Sequence, residues 1–242
     1  MTTLRGTYFI RPYRPEDRPR VREICYQTGY MGESAECFYG DRASFADMFS
    51  SYYTDHEPES CLVATRSTDG EVVGYLAGCV DSRKALDPTA IGLRHVLTRG
   101  LLFRPGTARF YLRLVADVMR DRGCRRTKVD LARYPAHFHI DLLPEARGGS
   151  GVRMVKRFHE RLRQMGVPGA HAEMIAENRL AFAVAQRLGY EKVGEPYLLP
   201  GLRDREGRRL HGQLIAQALE PKKIQVAVPG SFLLPGELGG VA

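Results

Sequence analysis

Residues 139–162 read His-Ile-Asp-Leu-Leu-Pro-Glu-Ala-Arg-Gly-Gly-Ser-Gly-Val and then Arg-Met-Val-Lys-Arg-Phe-His-Glu-Arg-Leu, and no other stretch restricts the fold so tightly. Ile140, Leu142 and Leu143 make a short apolar strand that stops at Pro144. Gly148, Gly149 and Gly151 can take backbone angles that other residues avoid, and Val152, Val155, Phe158, Leu162 and Met165 then recur at helical spacing. The pattern is strand, glycine turn, helix. A turn placed there sits on a helix N-terminus, where unpaired N–H groups and the positive end of the helix dipole favour an anion. A flexible Gly/Ser loop is the plain alternative. Two nucleotide motifs are excluded: a P-loop needs Lys-Ser or Lys-Thr after its last glycine, where Val152 and Arg153 stand, and a dinucleotide fingerprint needs a glycine at Met154.

What remains resembles the phosphate-binding turn of the GNAT acyl-CoA N-acyltransferases, Arg/Gln-x-x-Gly-x-Gly/Ala, with Arg147 at its first position. The resemblance extends to Asn178-Arg-Leu-Ala, an Asn opening a helix that ends in Leu188-Gly189-Tyr190, and upstream to Ile10-Arg11-Pro12 with Pro15-Glu16-Asp17. Three blocks in the family's order span residues 8–195. The run from His139 to Glu145 looks most similar to the branch related to the acetyltransferase-like domain of O-GlcNAcase. Two positions depart from the family. With Arg147 as anchor, Ser150 and Val152 occupy the two small-residue places, although a shift by one residue would put Gly149 and Gly151 there. The family often carries a Tyr four residues after the Ala to protonate the leaving thiolate, and that position is Ala185.

The fold implied by the resemblance is a single α/β domain over residues 1–220, with a mixed, mainly antiparallel central sheet flanked by helices, a helical insertion at 81–134, and a tail over 221–242. The function implied is acetyl transfer from acetyl-CoA to an amine. The turn from Arg147 through Gly148, Gly149, Ser150 and Gly151 to Val152 would hold the pyrophosphate. The main chain at Leu142 and Leu143 would pair with the pantetheine amides and the carbonyl, and Asn178 would reach the pantetheine arm.

The residues themselves fill in the rest. Thr7 to Tyr13 reads as a first strand, and Pro15 to Thr28 as a helix closed by Gly29. Phe45, Met48 and Phe49 mark a short helix from Ser44 to Tyr53. Cys61 to Thr65 and Val72 to Val80 are strand-like runs on either side of Asp69-Gly70, a tight-hairpin pairing. In the insertion Phe110, Tyr111, Leu114, Val115, Val118 and Met119 fall on one helical face, and a weaker helix covers Ile91 to Leu102. A strand from Ala170 to Ile175 and a helix from Asn178 to Leu188 follow, then strands at Val193 to Leu199 and Leu210 to Leu219. The tail from Pro221 could add an edge strand, drape over the domain or pair with a second subunit as a homodimer.

With 242 residues, 43% hydrophobic and 26% charged, the composition is that of an ordinary globular chain with a substantial core. Five cysteines without CxxC spacing and an N-terminus without an apolar stretch point to a reducing cytoplasm, and no run approaches the ~20 apolar residues of a membrane span. The net charge is +8, and residues 81–134 hold 13 Lys and Arg against 5 Asp, which equals the whole excess. That segment favours a lid over the acceptor side, preferring an acidic acceptor, or a solvated cover. A nucleic-acid module is a further reading of the charge, but no recognisable motif supports it.

Strand alternation puts His137, His139 and Asp141 on one face and Phe138, Ile140 and Leu142 on the other. His139 beside Asp141 suits proton abstraction from an amine, or else the two form a structural pair. Glu173 on the next strand would face the same region and is the third candidate for catalysis. The histidines and cysteines show no metal-ligand spacing, so no metal is expected. Ala185 and the irregular turn leave one alternative function, an acyl-CoA-binding protein without transfer. The acceptor, a small molecule or a protein amine, is not named by the sequence.

Overall fold

The computed structural model describes residues 7–121 and 127–220. Arg122, Cys124, Arg125 and Arg126 of the insertion, and the tail from Pro221, lie outside the described residues. Seven strands form one sheet: β1 (Tyr8–Pro12), β2 (Cys61–Arg66), β3 (Val72–Cys79), β4 (Ala136–Leu142), β5 (Gly169–Ile175), β6 (Glu191–Arg203) and β7 (Arg209–Ala218). Their spatial order is β1-β2-β3-β4-β5-β7-β6, and only β4 and β5 run parallel. The helices are α1 (Arg18–Thr28), α2 (Arg42–His56), α3 (Pro88–Arg99), α4 (Pro105–Arg120), α5 (Ser150–Gln164) and α6 (Arg179–Arg187). The expectation of a mixed, mainly antiparallel sheet flanked by helices is met. Among the described residues no helix is long and apolar enough to cross a membrane.

The sheet separates two cores. On one face α5 buries Met154, Val155, Phe158 and Leu162 against Val73, Leu76, Ala136 and Ala170, with Ala185 of α6 in the same cluster. Phe158 lies so close to β3 that a Cβ at Gly78 would fall 2.4 Å from its ring, so glycine is required there for the helix to seat. On the other face Val21, Ile24, Cys25 and Tyr26 of α1 and Phe45 of α2 pack on Val63, Tyr75 and Ala77. The first strand joins its helix through Arg11, whose guanidinium donates two hydrogen bonds of 2.7 Å to Asp17, while Asp17 also accepts from the Arg14 backbone at 2.9 Å.

The insertion is helical and covers the α2 side of the sheet. Asp41, which caps α2 through the Ser44 N–H at 2.8 Å, is buried and takes ion pairs from Arg99 at 3.2 Å and Arg104 at 2.7 Å. Part of the insertion's basic charge therefore fastens it to the domain. The face expected for α4 is only half right: Phe110, Tyr111 and Leu114 turn inward, whereas Val115, Val118 and Met119 are exposed. The helix is rotated by a buried ion pair, Asp117 with Arg203 of β6 at 2.6 Å, which an apolar periodicity cannot reveal. The central strand is also longer than its apolar core, beginning at Ala136, because His137 and His139 pair in register with Cys79 and Ala77.

Candidate active site

The parallel pair β4 and β5 is joined only at Ala136 with Ala170 and His137 with His171. Beyond those residues the strands part, while β4 stays paired to β3 and β5 to β7. In an antiparallel ladder alternate residues point their N–H and C=O to opposite sides. Leu143 donates to Val73 O at 2.9 Å, so 139, 141 and 143 bond to β3 and the main chain of Phe138, Ile140 and Leu142 faces the gap. The sequence reading placed both Leu142 and Leu143 there. Only Leu142 is so oriented: the Leu143 N–H is used by Val73 and its carbonyl accepts from Ala146 at 2.9 Å.

The glycine turn follows directly. Gly148 and Gly149 have φ of 112° and 138°, in the region that disfavours a side chain, and a Cβ at either would meet nothing within 4 Å. Gly149 is the N-cap of α5, no side chain caps that end, and no acidic residue lies in its first turn. The N–H groups at Ser150, Gly151 and Val152 thus begin a 15-residue helix with open space before them. A Cβ at Gly151 would lie 3.0 Å from Leu142 Cδ1 and 3.5 Å from Ile140 Cδ1. Backbone angle disfavours a side chain at 148 and 149, and the Leu142 side chain stands close to 151, in keeping with the shifted frame of Gly149 and Gly151. Arg147 turns its guanidinium to the α1–α2 connection, donating to Gly32 O at 2.6 Å and to Leu142 O at 3.4 Å. The uncapped N-terminus, the glycine-opened approach and the free β4 edge together fit a long ligand with an anionic group and amides, as coenzyme A has.

On the opposite face of β4 the polar side chains meet partners from three elements. His139 Nε2 lies 3.0 Å from Asp141 Oδ2, and Tyr75 of β3 donates its hydroxyl to the same oxygen at 2.7 Å. The His139 ring stacks on Phe49 of α2 at 6.0 Å between centroids, and Cys25 of α1 brings its sulfur into the group. The His139 side chain keeps 36% of its surface exposed and Asp141 12%, so the pair is accessible from one side. Burial works against a charged ring, but the Asp141 carboxylate, by charge and hydrogen bond, and Cys25 lift His139 from the ordinary 6.5 to about 10. Burial and then the Asp141 charge raise the Tyr75 phenol well above its usual range. The arrangement is an imidazolium–carboxylate pair at neutral pH that becomes a strong base once its proton is lost.

His137, two residues earlier on the same face, behaves differently. It bonds to Tyr53 Oη at 2.8 Å and Ser82 Oγ at 2.7 Å, and burial with the charges of His171 and His139 pushes it down to about 3. It is a neutral structural bridge between α2 and the start of the insertion. Cys25, His139 and Asp141 also place three metal-type ligand atoms within 4.8 Å of one another, which the sequence reading did not foresee because Cys25 lies far from the histidines in the chain.

The chain matches no known family model. Among solved structures it is similar to SsHAT, with a TM-score of 0.61 and 24% identity over 88% of this chain and 98% of that one. It is also similar to a GNAT superfamily phosphinothricin acetyltransferase from Sinorhizobium meliloti in complex with acetyl-CoA, with a TM-score of 0.52 and 19% identity over 94% and 96% of the two chains. A polyamine N-acetyltransferase of Drosophila melanogaster matches with a TM-score of 0.54 and 17% identity over 88% and 100%. The chain has the GNAT fold.

Within the GNAT fold the remaining expected residues take distinct places. Asn178 caps α6, its Oδ1 accepting from Ala181 N at 3.1 Å. Glu173 lies on β5 beyond the point where the strands part, exposed, in the register that faces His139 across the gap, and outside the His139 group. Glu177 pairs with His211 of β7 at 3.0 Å and lines a cavity of about 480 Å³ with Ala176, Arg179 and Pro196. Ala185 is buried in the core beneath α6, at 7% exposure. Tyr75, Cys25 and Phe49 were missed by sequence reasoning, since each reaches the site from a different element.

Proposed function

We propose that the protein transfers an acetyl group from acetyl-CoA to an amine. The observation that carries this reading is the parting of β4 from β5 beside an uncapped, glycine-opened helix N-terminus, with a paired acid and base on the adjoining face of β4. Bound acetyl-CoA supplies the activated thioester. The N–H groups at Ser150, Gly151 and Val152 hold its anionic end, and the open main chain at Ile140 with the N–H of Leu142 pairs with its amides. His139, oriented by Asp141, takes the proton that the amine must lose before it attacks, and Tyr75 fixes the carboxylate. The basicity of His139, about 10, is close to that of an alkylammonium, ~10.4 for a lysine side chain, so the transfer is nearly thermoneutral.

The likeness to acetyltransferases, two of them named above with their cofactor or acceptor class, supports the reading at the level of the fold. Calorimetry with acetyl-CoA, together with a free-thiol release assay over a panel of amines, tests it. Binding with amine-dependent thiol release is the expected result. Binding without release from any amine would make this an acyl-CoA-binding protein, and absence of binding would remove the reading altogether.

A further inference from the structure

Among the described residues twelve large apolar side chains remain exposed, and nine of them fall between Leu86 and Met119, in the helical insertion. There α3 and α4 are the arms of a hairpin that turns at Gly100–Arg104 and touches at its middle, where Tyr111 Oη lies 3.5 Å from Gly92 O. Val96, Phe110 and Tyr111 pack inward, on the core shared with α1 and α2. A helix that only covers a domain turns polar residues to water. Here the outward side is apolar as well, with Leu93 and Leu97 on α3, Phe103 at the apex, and Leu112, Val115 and Met119 at helical spacing along α4. Phe103 keeps 91% of its surface, and Leu97 and Met119 77% each, so these side chains stand out from the hairpin rather than fill a hollow in it.

The charge on the same hairpin has one sign. Between Pro88 and Arg120 the sequence has no Glu, no Lys and a single Asp, Asp117, which is buried in its pair with Arg203. Arg99 and Arg104 are taken by buried Asp41. Arg94, Arg109, Arg113 and Arg120 make no ion pair with any described residue, and the last three follow one another along one side of α4, next to the apolar stripe.

Protruding apolar side chains flanked by unpaired arginines suit a bilayer surface. The apolar groups enter the boundary between headgroups and acyl chains, the arginine stems lie along it, and the guanidinium groups reach anionic headgroups. A fluid surface also accepts Phe103 without a pocket shaped to it. A second copy of the chain fits less well, because two-fold pairing of this face sets arginine against arginine and brings no exposed acid from either hairpin to meet them. We propose that the outer face of the α3–α4 hairpin docks the protein on an anionic lipid surface, with Phe103 and the leucines inserted and the four arginines on the headgroups. This goes beyond the transfer reading and does not depend on it.

The chain contains no Trp, so Phe103→Trp introduces a single reporter at the apex. Its emission is followed, without cofactor, against vesicles of equal parts phosphatidylcholine and phosphatidylglycerol and against phosphatidylcholine alone, and partition of the parent and variants is measured by co-sedimentation. The indole should emit as in water for the free protein and shift to the blue with anionic vesicles only. Partition should weaken with salt and fall about fivefold for each arginine removed, so about 25-fold in Arg109→Gln with Arg120→Gln. Leu97→Ser with Leu112→Ser, both at exposed positions, should lower it more than about tenfold. Phe9→Ser and Arg187→Gln, exposed residues away from the hairpin, should leave it unchanged. No preference for anionic vesicles, or equal loss in the hairpin and control variants, overturns the proposal. An indole already shifted to the blue without vesicles also overturns it: a shift at every protein concentration gives the face to residues 221–242 of the chain itself, and a shift only at high concentration gives it to a second copy.

Discussion

Asp141→Asn separates the two things that the carboxylate does for His139, since the amide keeps the shape and an acceptor for Tyr75 but removes the charge. With the carboxylate present, a value of about 10 leaves only ~0.3% of His139 neutral at pH 7.5. After substitution burial still lowers the ring's basicity and Cys25 still raises it, so the variant should titrate well below the parent. Rate against pH should therefore rise toward a limb near 10 in the parent and toward a clearly lower limb in Asp141→Asn. The plateau above each limb moves the other way. A weaker and less firmly oriented base gives a plateau lower by more than about tenfold, given that general-base catalysis contributes ~10²–10⁴. Near neutral pH the two effects oppose each other, so a single-pH comparison would mislead. The assay is kcat/KM from pH 6 to 10.5 with two alkylamines of different basicity, so that the limb that does not move with the amine is assigned to the protein. His139→Ala should abolish the limb with acetyl-CoA affinity kept. A parent profile flat from pH 7 to 10, or an Asp141→Asn limb still near 10, refutes the assignment.

Gly149→Glu places a carboxylate at the N-cap of α5, where it supplies the helix with its own anion and crowds an incoming phosphate; coenzyme A affinity should fall more than about tenfold by calorimetry, with the fold kept apart from ~1–2 kcal/mol of backbone strain at φ 138°. His159, buried and bonded to Tyr190 Oη at 2.6 Å, is pushed down to about 4 by burial and by Arg163. Because its folded value lies below the ordinary 6.5, the stability it contributes is complete above pH 6.5 and is lost as pH falls toward 4, on the order of 3 kcal/mol; the urea midpoint should drop across that window in the parent and drop less in His159→Gln. Dialysis against EDTA should leave transfer unchanged if Cys25, His139 and Asp141 act as an acid–base group, and activity lost to EDTA and restored by zinc would make them a metal site. Ala185→Tyr should lower the urea midpoint by the equivalent of ~1–3 kcal/mol, because the side chain enters a packed core.

Local rules carried most of the fold. Asp69-Gly70 joins β2 to β3, Gly189 with φ 89° follows α6, and the glycines before Ser150 open α5, because each is a backbone requirement met by residues adjacent in sequence, whereas at Gly29, which follows α1 with φ −67°, it is the Phe45 ring that leaves no room for a side chain. The errors came where a distant partner decided the outcome. Apolar spacing alone turned α4 by part of a turn, since its inward face is set by Asp117 meeting Arg203 86 positions away. The frame of the glycine turn was ambiguous until Leu142 and Ile140 were seen beneath Gly151.

The candidate site shows the same division. Alternation along β4 places His137, His139 and Asp141 on one face, but it cannot say what each side chain meets there. Two histidines, two residues apart on one strand, end near opposite extremes, about 3 and about 10. Both rings are partly covered, and burial lowers the basicity of each, so burial alone does not set them apart. His137 finds two hydroxyls, from Tyr53 and Ser82, which bond without favouring charge, whereas His139 finds a carboxylate. The carboxylate was visible in the sequence as Asp141, two residues on and on the same face. The hydroxyls were not, and neither was Tyr75, 66 positions from the Asp141 it holds. A histidine's role on a strand is therefore legible when its partner lies on that strand, and has to be found in the fold when the partner comes from a neighbouring helix or loop.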